Sequence, residues 1–517
     1  MGIAKCSVLF LFDCAQARLP EVGMDMTNAQ TARSRGAVKR NALDGIFWGA
    51  LDAFFRLAVQ FGITVALARL LTPEEFGIVA IVYVFMSIGS MLVDSGLSGV
   101  LVQQRDLEEE QISTIFHFQW MAALAFGLSM VLISPWIARF YGYSILEPLI
   151  WAMALNVFVA ALGVVPASLL SRALKFRLPI AIGMVSTVLA GAVAVFLAMY
   201  GGGVWALALQ PLVMALMNVG ALWLYHPWRP RMVFRPALLR RSFNFGGFVL
   251  LSGLLELAYG GFYALFVAKV YGAADLGQYN RANGIQSMSS GAVAGLFKRV
   301  GFAVFSAVQD DKPRLRAGLR KTVQGVMAIS IPAMLGLLTV AEPLVLTFFG
   351  DAWRPSIPLL RILCLVGLVW PLHVVNLSVL LAQGHASLFF RIEIAKKGVG
   401  TIAFLSAAPF GLEALAWSQV VYASACFALQ AFYTGRLLGY GVLAQIFDCL
   451  PWAVAGILMA ASVWALQLVL TVPVAGILAA QIVLGATLYL GFCVAWDPSL
   501  IREVMSAIVS RREVSKA

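Results

Sequence analysis

The chain has 517 residues, 61% of them hydrophobic and only 12% charged, with a mean hydropathy of +0.88. Soluble domains are near a quarter charged and about half apolar, so no water-soluble fold could hide this much apolar surface; about 20 apolar residues span a bilayer, and the polar breaks leave room for about fourteen spans. The net charge of +12 and the pI near 9.6 do not point to nucleic acid, because the basic residues sit in short loops between apolar runs, as cytoplasmic loops of a polytopic membrane protein do.

Residues 1–23 hold one short apolar run, Val8 to Phe12, too short to cross a bilayer. Cys6 stands where a myristoylation signal needs Ser or Thr, and Leu11-Phe12-Asp13 before Cys14 are not the small residues of a lipoprotein cleavage site. Met24 and Met26 are alternative starts, so residues 1–23 are either untranslated or the first part of a cytoplasmic tail over residues 1–42. Spans are predicted near 45–70, 77–104, 114–140, 146–171, 178–200 and 204–225, followed by a basic loop over 226–242. Further spans are predicted near 243–271, 276–306, 319–341, 356–383, 394–411, 413–436, 447–470 and 472–496, with a basic tail over 498–517. The predicted class is thus an all-α polytopic membrane protein of about fourteen transmembrane helices.

An even number of spans puts both termini on one side. With the N-terminus in the cytoplasm, most of the 37 Lys and Arg residues fall inside. They include Arg172, Lys175 and Arg177 after helix 4, Arg229, Arg231, Arg235, Arg240 and Arg241 after helix 6, and Arg391, Lys396 and Lys397 after helix 10. This asymmetry sets the orientation, and no outside loop is large enough to be a domain.

The chain repeats itself at an offset of 200. Ala68 to Gly77 aligns without gaps on Ala268 to Gly277, with Ala68/Ala268 and Gly77/Gly277 identical and the charge kept at Arg69/Lys269 and Glu75/Asp275. Six spans separate the copies, so both face the same way, as in transporters built from parallel repeats about an axis along the membrane normal.

Helix 1 carries Asp52, Arg56 and Gln60 at i, i+4 and i+8, one polar stripe, and helix 7 carries Ser252, Glu256 and Gly260 at the equivalent positions. A charge at the centre of a membrane helix costs roughly 2.5–3.5 kcal/mol even on the lenient insertion scale. Two readings stand: a polar pathway between the halves, or an Asp52–Arg56 pair that locks helix 1 to its neighbours. Asp94 in helix 2 and Arg281 in helix 8 are further pathway candidates; Asp94-Ser95-Gly96 also reads as a helix break, and Arg281 as a snorkelling side chain near the outer interface. Arg240, Arg241, Lys298 and Arg299 would suit a phosphate-bearing lipid head group at the cytoplasmic side, or serve only as a topology signal. The six cysteines form no CxxC, and His117, His226, His373 and His385 are far apart, each read as a satisfied or exposed histidine. No metal or cofactor motif is present in the sequence.

Ala68 to Gly77, with its Leu71-Thr72-Pro73-Glu74-Glu75-Phe76-Gly77 ending, resembles the first-loop signature of Wzx-type polysaccharide flippases, as does the Asp94-Ser95-Gly96-Leu97 stretch. Ala341 to Gly350, Trp353 and Pro358-Leu359-Leu360 resemble that family's segment between helices 9 and 10. The match covers about residues 40–500, in the branch with colanic acid, succinoglycan and teichuronic acid exporters. The resemblance implies membership of the multidrug/oligosaccharidyl-lipid/polysaccharide exporter superfamily. It implies two six-helix lobes, over 43–225 and 243–436, joined by the basic loop and followed by helices 13 and 14 over 437–497. It also implies the flipping of undecaprenyl-diphosphate-linked oligosaccharides across the bacterial cytoplasmic membrane, with membrane lipids, a polysaccharide polymerase and chain-length proteins as partners. The second copy departs from the signature at Ala273, where the first has Pro73, so the lobes need not be equivalent. A drug exporter of the same superfamily would carry a compact cation site with acidic residues. A membrane polymerase or glycosyltransferase would show a large catalytic outside loop or a metal-binding Asp motif, and the sequence has neither.

Overall fold

The computed structural model describes Phe55 and residues 57–104, 107–173, 177–307, 311–383, 386–469 and 473–496. Among these residues every regular element is a helix. In chain order they are α1 (Leu57–Leu70), α2 (Pro73–Asp94), α3 (Leu97–Gln103), α4 (Glu109–Tyr141), α5 (Leu146–Arg172), α6 (Arg177–Met199), α7 (Val204–Tyr225) and α8 (Pro236–Val270). Then follow α9 (Ala273–Ala307), α10 (Lys312–Thr339), α11 (Ala341–Phe348), α12 (Ser356–Ala382), α13 (Ala386–Ala407), α14 (Leu412–Leu438), α15 (Val442–Val469) and α16 (Val474–Trp496).

Ten described helices, α2, α4 to α7, α10, α12 and α14 to α16, are long and apolar enough to cross a membrane. The protein is a multi-pass membrane protein. Crossing by α1, α8, α9 and α13 remains the sequence's expectation. Several boundaries differ from the predicted ones; the seventh and ninth spans begin seven residues early, at Pro236 and Lys312. The second span is broken into α2 and α3, because Ser95 and Gly96 take left-handed backbone angles, φ 48° and 69°. The eleventh begins at Ala386 rather than near 394, which draws Arg391 and Glu393 into α13 beside Lys396 and Lys397.

By chain contacts the described residues divide into two compact units between Gln278 and Tyr279. In the first, the Thr72 to Gly77 signature is a helix start. Thr72 Oγ1 accepts from the Glu75 N–H at 3.4 Å, and Glu75 Oε2 accepts from the Thr72 N–H at 2.7 Å, a capping box with Pro73 in the first turn. The box satisfies donors that a helix N-terminus leaves open. Gly77 answers to packing: a Cβ there would fall on the carbonyl of Ala273, and a Cβ at Gly277 would fall on the carbonyl of Pro73. The exchange of 73 with 277 and 273 with 77 is what a two-fold axis between equivalent segments requires. The sequence repeat is therefore a spatial one.

The starts of the two copies differ in chemistry. Ala273 donates its N–H to the Tyr143 hydroxyl at 3.3 Å. A proline at 273 would have no N–H to give, which accounts for the departure from the signature.

In the second unit, α10, α12, α14, α15 and α16 enclose a core that includes Val323, Val326, Leu372, Val379, Phe427, Trp452 and Met459. Helix α15 is joined to α12 by a reciprocal amide pair. Asn376 Nδ2 donates to Gln445 Oε1 at 2.8 Å, and Gln445 Nε2 donates to Asn376 Oδ1 at 2.9 Å. It is joined to α10 where Arg320 Nε donates to Asp448 Oδ2 at 2.8 Å, an oxygen that also accepts from Tyr440 at 2.8 Å. The last two helices are thus built into the second unit.

Candidate transport pathway

Asp52 and Arg56 lie outside the described residues, as do the side chains of Arg241, Lys298 and Arg299. Arg240 is exposed in the first turns of α8. Glu256 is exposed on α8, roughly 21 Å of helix from its end at Val270 at about 1.5 Å per residue.

Asp94 sits elsewhere. Helix α2 is 22 residues, about 33 Å, so Asp94 closes a full span and lies at its end. It accepts from Ser98 Oγ at 3.0 Å across the break and thereby ties α3 to α2. Arg281 lies about 12 Å into α9. It is only 8% exposed, with its guanidinium carbon 4.4 Å from the Trp353 ring centre and 4.9 Å from that of Phe349. That is a cation held against two aromatic faces, enclosed rather than snorkelling, on the segment that the family resemblance singled out.

The basic segment between α7 and α8 is clasped to α4. Arg235 pairs with Glu110 at 2.9 Å and Arg231 with Glu109. The Arg231 N–H donates to Ser113 Oγ at 3.0 Å and the Arg235 N–H to Thr114 Oγ1 at 3.2 Å. His117 Nδ1 accepts from the Trp120 indole at 3.0 Å. An indole can only donate, so the His117 proton is on Nε2, which donates to the Arg231 carbonyl at 2.9 Å. His117 is thus satisfied, as the sequence reading held.

His373 is buried, 8% exposed in α12. Gln430 of α14 is fully buried, and its side-chain amide lies beside the His373 ring. Lys396 of α13 is 5% exposed and donates to Glu393 Oε1 at 2.6 Å. Measured along each helix at about 1.5 Å per residue, His373 lies about 14 Å from Ala382, Lys396 about 15 Å from Ala386 and Gln430 about 12 Å from Leu438. These three ends adjoin the same side of the hairpins α12–α13–α14, so the groups share one depth. The sequence reading counted Lys396 with the cytoplasmic residues after helix 10; the structure buries it within α13.

A family model described as "Polysaccharide biosynthesis protein" matches residues 66–358, more than half of the chain. The chain belongs to the polysaccharide biosynthesis protein family. It is 28% identical over 380 residues to the succinoglycan biosynthesis transport protein ExoT of Rhizobium meliloti, covering 73% of this chain and 76% of that one. It is 24% identical to the lipopolysaccharide biosynthesis protein WzxC of Escherichia coli (70% of this chain, 74% of that one), and 25% identical to the teichuronic acid biosynthesis protein TuaB of Bacillus subtilis (68% and 74%). Among solved structures the lipid II flippase MurJ, in an inward closed conformation, superposes with a TM-score of 0.71 at 13% identity, over 88% of this chain and 100% of that one. An inward-facing multidrug resistance transporter of the MATE family in the MOP superfamily gives a TM-score of 0.58 at 15% identity, over 75% and 100%. At such identities the likeness is one of fold. The match to the polysaccharide biosynthesis family takes in the capping box, both crossing glycines, Arg281 and Trp353. The buried set around Lys396 lies beyond it.

Proposed function

We propose that this chain is a transporter, not an enzyme, that moves undecaprenyl-diphosphate-linked oligosaccharide units from the inner to the outer leaflet of the bacterial cytoplasmic membrane, for surface or exopolysaccharide synthesis. Family membership carries the reading, and the MurJ-like fold supports it, since MurJ is itself named a lipid II flippase. A diphosphate and a string of hydroxyls cannot cross about 30 Å of hydrocarbon unaided, because each desolvated polar group costs kilocalories. Two parallel halves that open a hydrated cavity to one side at a time would remove that barrier, and the reciprocal Gly77–Gly277 crossing supports such a symmetry. In this reading both termini are cytoplasmic, the two six-helix lobes rock about the cavity, and a polymerase and chain-length proteins act on the delivered units.

Arg56 of the first copy and Glu256 of the second are the pathway residues proposed at equivalent repeat positions. Arg56 would receive the diphosphate or an acidic sugar, and Glu256 would pair with it in the empty state or carry a proton; Asp52 would belong to the same stripe. Arg240, Arg241, Lys298 and Arg299 would attract the phosphate-bearing head group, while Asp94 and Arg281 hold helices at the ends of that route. The test is polysaccharide export by Arg56→Gln and Glu256→Gln, each normalised to its level in the membrane. Export is expected to be abolished at normal protein level. Normal export by both variants, or loss only in proportion to lost protein, would overturn the assignment.

A further inference from the structure

The first ten residues of α10 carry five cations, Lys312, Arg314, Arg316, Arg320 and Lys321, and no acid. All five are exposed, while Leu315, Leu319 and Val323 on the other side of the same turns are buried in the core of the second unit. Lys312, Arg316 and Arg320 stand in line at i, i+4 and i+8. From Thr322 to its end at Thr339 the helix carries no charge. That stretch rises about 27 Å, close to the thickness of the hydrocarbon core. The basic turns before it rise about 15 Å, which takes them through the polar head-group layer.

Two of these cations are committed. Arg320 is held by Asp448 of α15, and Arg314 stands 4.0 Å from the helix cap, Asp311. Among the described residues Lys312 and Arg316 make neither a side-chain hydrogen bond nor an ion pair, and the same holds for Arg436, exposed in the last turn of α14. Arg316 reaches that helix end: a Cβ at Gly439, where α14 terminates, would lie 3.3 Å from Arg316 Nη1. Cations are thus gathered from two helices, at a cost in repulsion that a shared anion recovers. Leu315 and Leu319 lock the basic turns to the core, and Arg320 ties them to α15, so the face is preorganised as a basic tail is not.

We propose that this face docks the head group of an anionic bilayer phospholipid, its phosphate against Lys312, Arg316 and Arg436 and its acyl chains in the hydrocarbon. Charge complementarity sets the sign of the occupant, since basic segments beside a span attract anionic lipids. Depth sets its kind: the cations end where the uncharged span begins, which is where a phospholipid carries its phosphate and a free anion has no reason to stay. The surface shares no residue with the Arg240, Arg241, Lys298 and Arg299 cluster. Its occupant belongs to the surrounding bilayer and is not the exported lipid, so it stands apart from the transport reading.

The full-length chain in dodecyl maltoside is titrated with dioleoylphosphatidylglycerol, and the monodisperse fraction left after heating is read. Phosphatidylglycerol is expected to stabilise, and dioleoylphosphatidylcholine and glycerol 3-phosphate are not; molar salt should remove the effect by screening. At about fivefold per charge, combining Lys312→Gln, Arg316→Gln and Arg436→Gln should raise the half-saturating lipid concentration roughly a hundredfold. The charge-keeping combination Lys312→Arg, Arg316→Lys and Arg436→Lys should respond as the wild type does, which separates lost charge from lost packing. A neutral triple variant that gains stability at wild-type lipid concentrations overturns the docking site, whatever its stability without lipid. So does a charge-keeping variant that fails to respond, or a wild type that responds equally to phosphatidylcholine or to glycerol 3-phosphate.

Discussion

Replacing Gly77 with alanine tests the helix crossing directly. The added methyl would overlap the Ala273 carbonyl, and a backbone carbonyl cannot swing aside as a side chain can. The two helix starts must separate, and with them the reciprocal contact of Gly277 on Pro73. Overpacking costs about 1–3 kcal/mol, and the backbone partner puts Gly77→Ala near about 3. Gly220 and Gly284 are the controls: both are helical, and a Cβ at either meets nothing within 4 Å. There alanine removes glycine's conformational entropy and should stabilise by about 0.5–1 kcal/mol. The sign therefore reverses between sites for the same substitution. Thermal stability in detergent, read as the monodisperse fraction left after heating, should fall for Gly77→Ala and hold or rise for the controls. Gly77→Ala with Gly277→Ala should cost less than the sum, because the first change already opens the crossing, with a coupling of about 1 kcal/mol or more. A Gly77→Ala protein as stable as Gly220→Ala would refute the crossing.

Thr72→Ala should lower the same thermal stability by about 1 kcal/mol through loss of the cap, and Tyr143→Phe by about 0.5–1.5 kcal/mol through loss of its bond to Ala273; equal stability of either variant and the wild type counts against that cap. Arg281→Gln should destabilise by roughly 1 kcal/mol through loss of its contacts with Trp353 and Phe349, and an unchanged melting point would show that those rings hold without it. Cysteines placed at Glu74 or Gly202 should react with an impermeant maleimide from outside, and one at Arg231 should not; outside labelling at 231 reverses the orientation.

Long apolar runs made most helices legible, and the offset of 200 made the repeat so. The helix break was legible too, because Ser95-Gly96 interrupts an otherwise apolar run. The buried cluster was not. Arg391, Glu393, Lys396 and Lys397 crowd toward the start of α13, and the positive-inside rule counts the lysines with the cytoplasmic residues. Lys396 is nevertheless buried there. The i,i+3 spacing of Glu393 and Lys396 was the available signal, and it says nothing of Gln430, which is close to them in space but distant in sequence. Which of Gly77's neighbours demands a glycine was likewise hidden, because the demand comes from a backbone about 200 residues away.

The unequal starts of α2 and α9 bear on the order in which the chain assembles. Thr72 and Glu75 complete the first turn of α2 from within four consecutive residues, so that turn can close as soon as it leaves the ribosome. The first turn of α9 closes on its own Leu276 N–H to Gly272 carbonyl bond, but its Ala273 N–H waits for a hydroxyl contributed by Tyr143, already made but belonging to a different hairpin. That donor is satisfied only after the α4–α5 connection has taken its place. The duplicated element is thus capped from within in its early copy and from a distant hairpin in its late one, so docking of the first half completes the cap of the second.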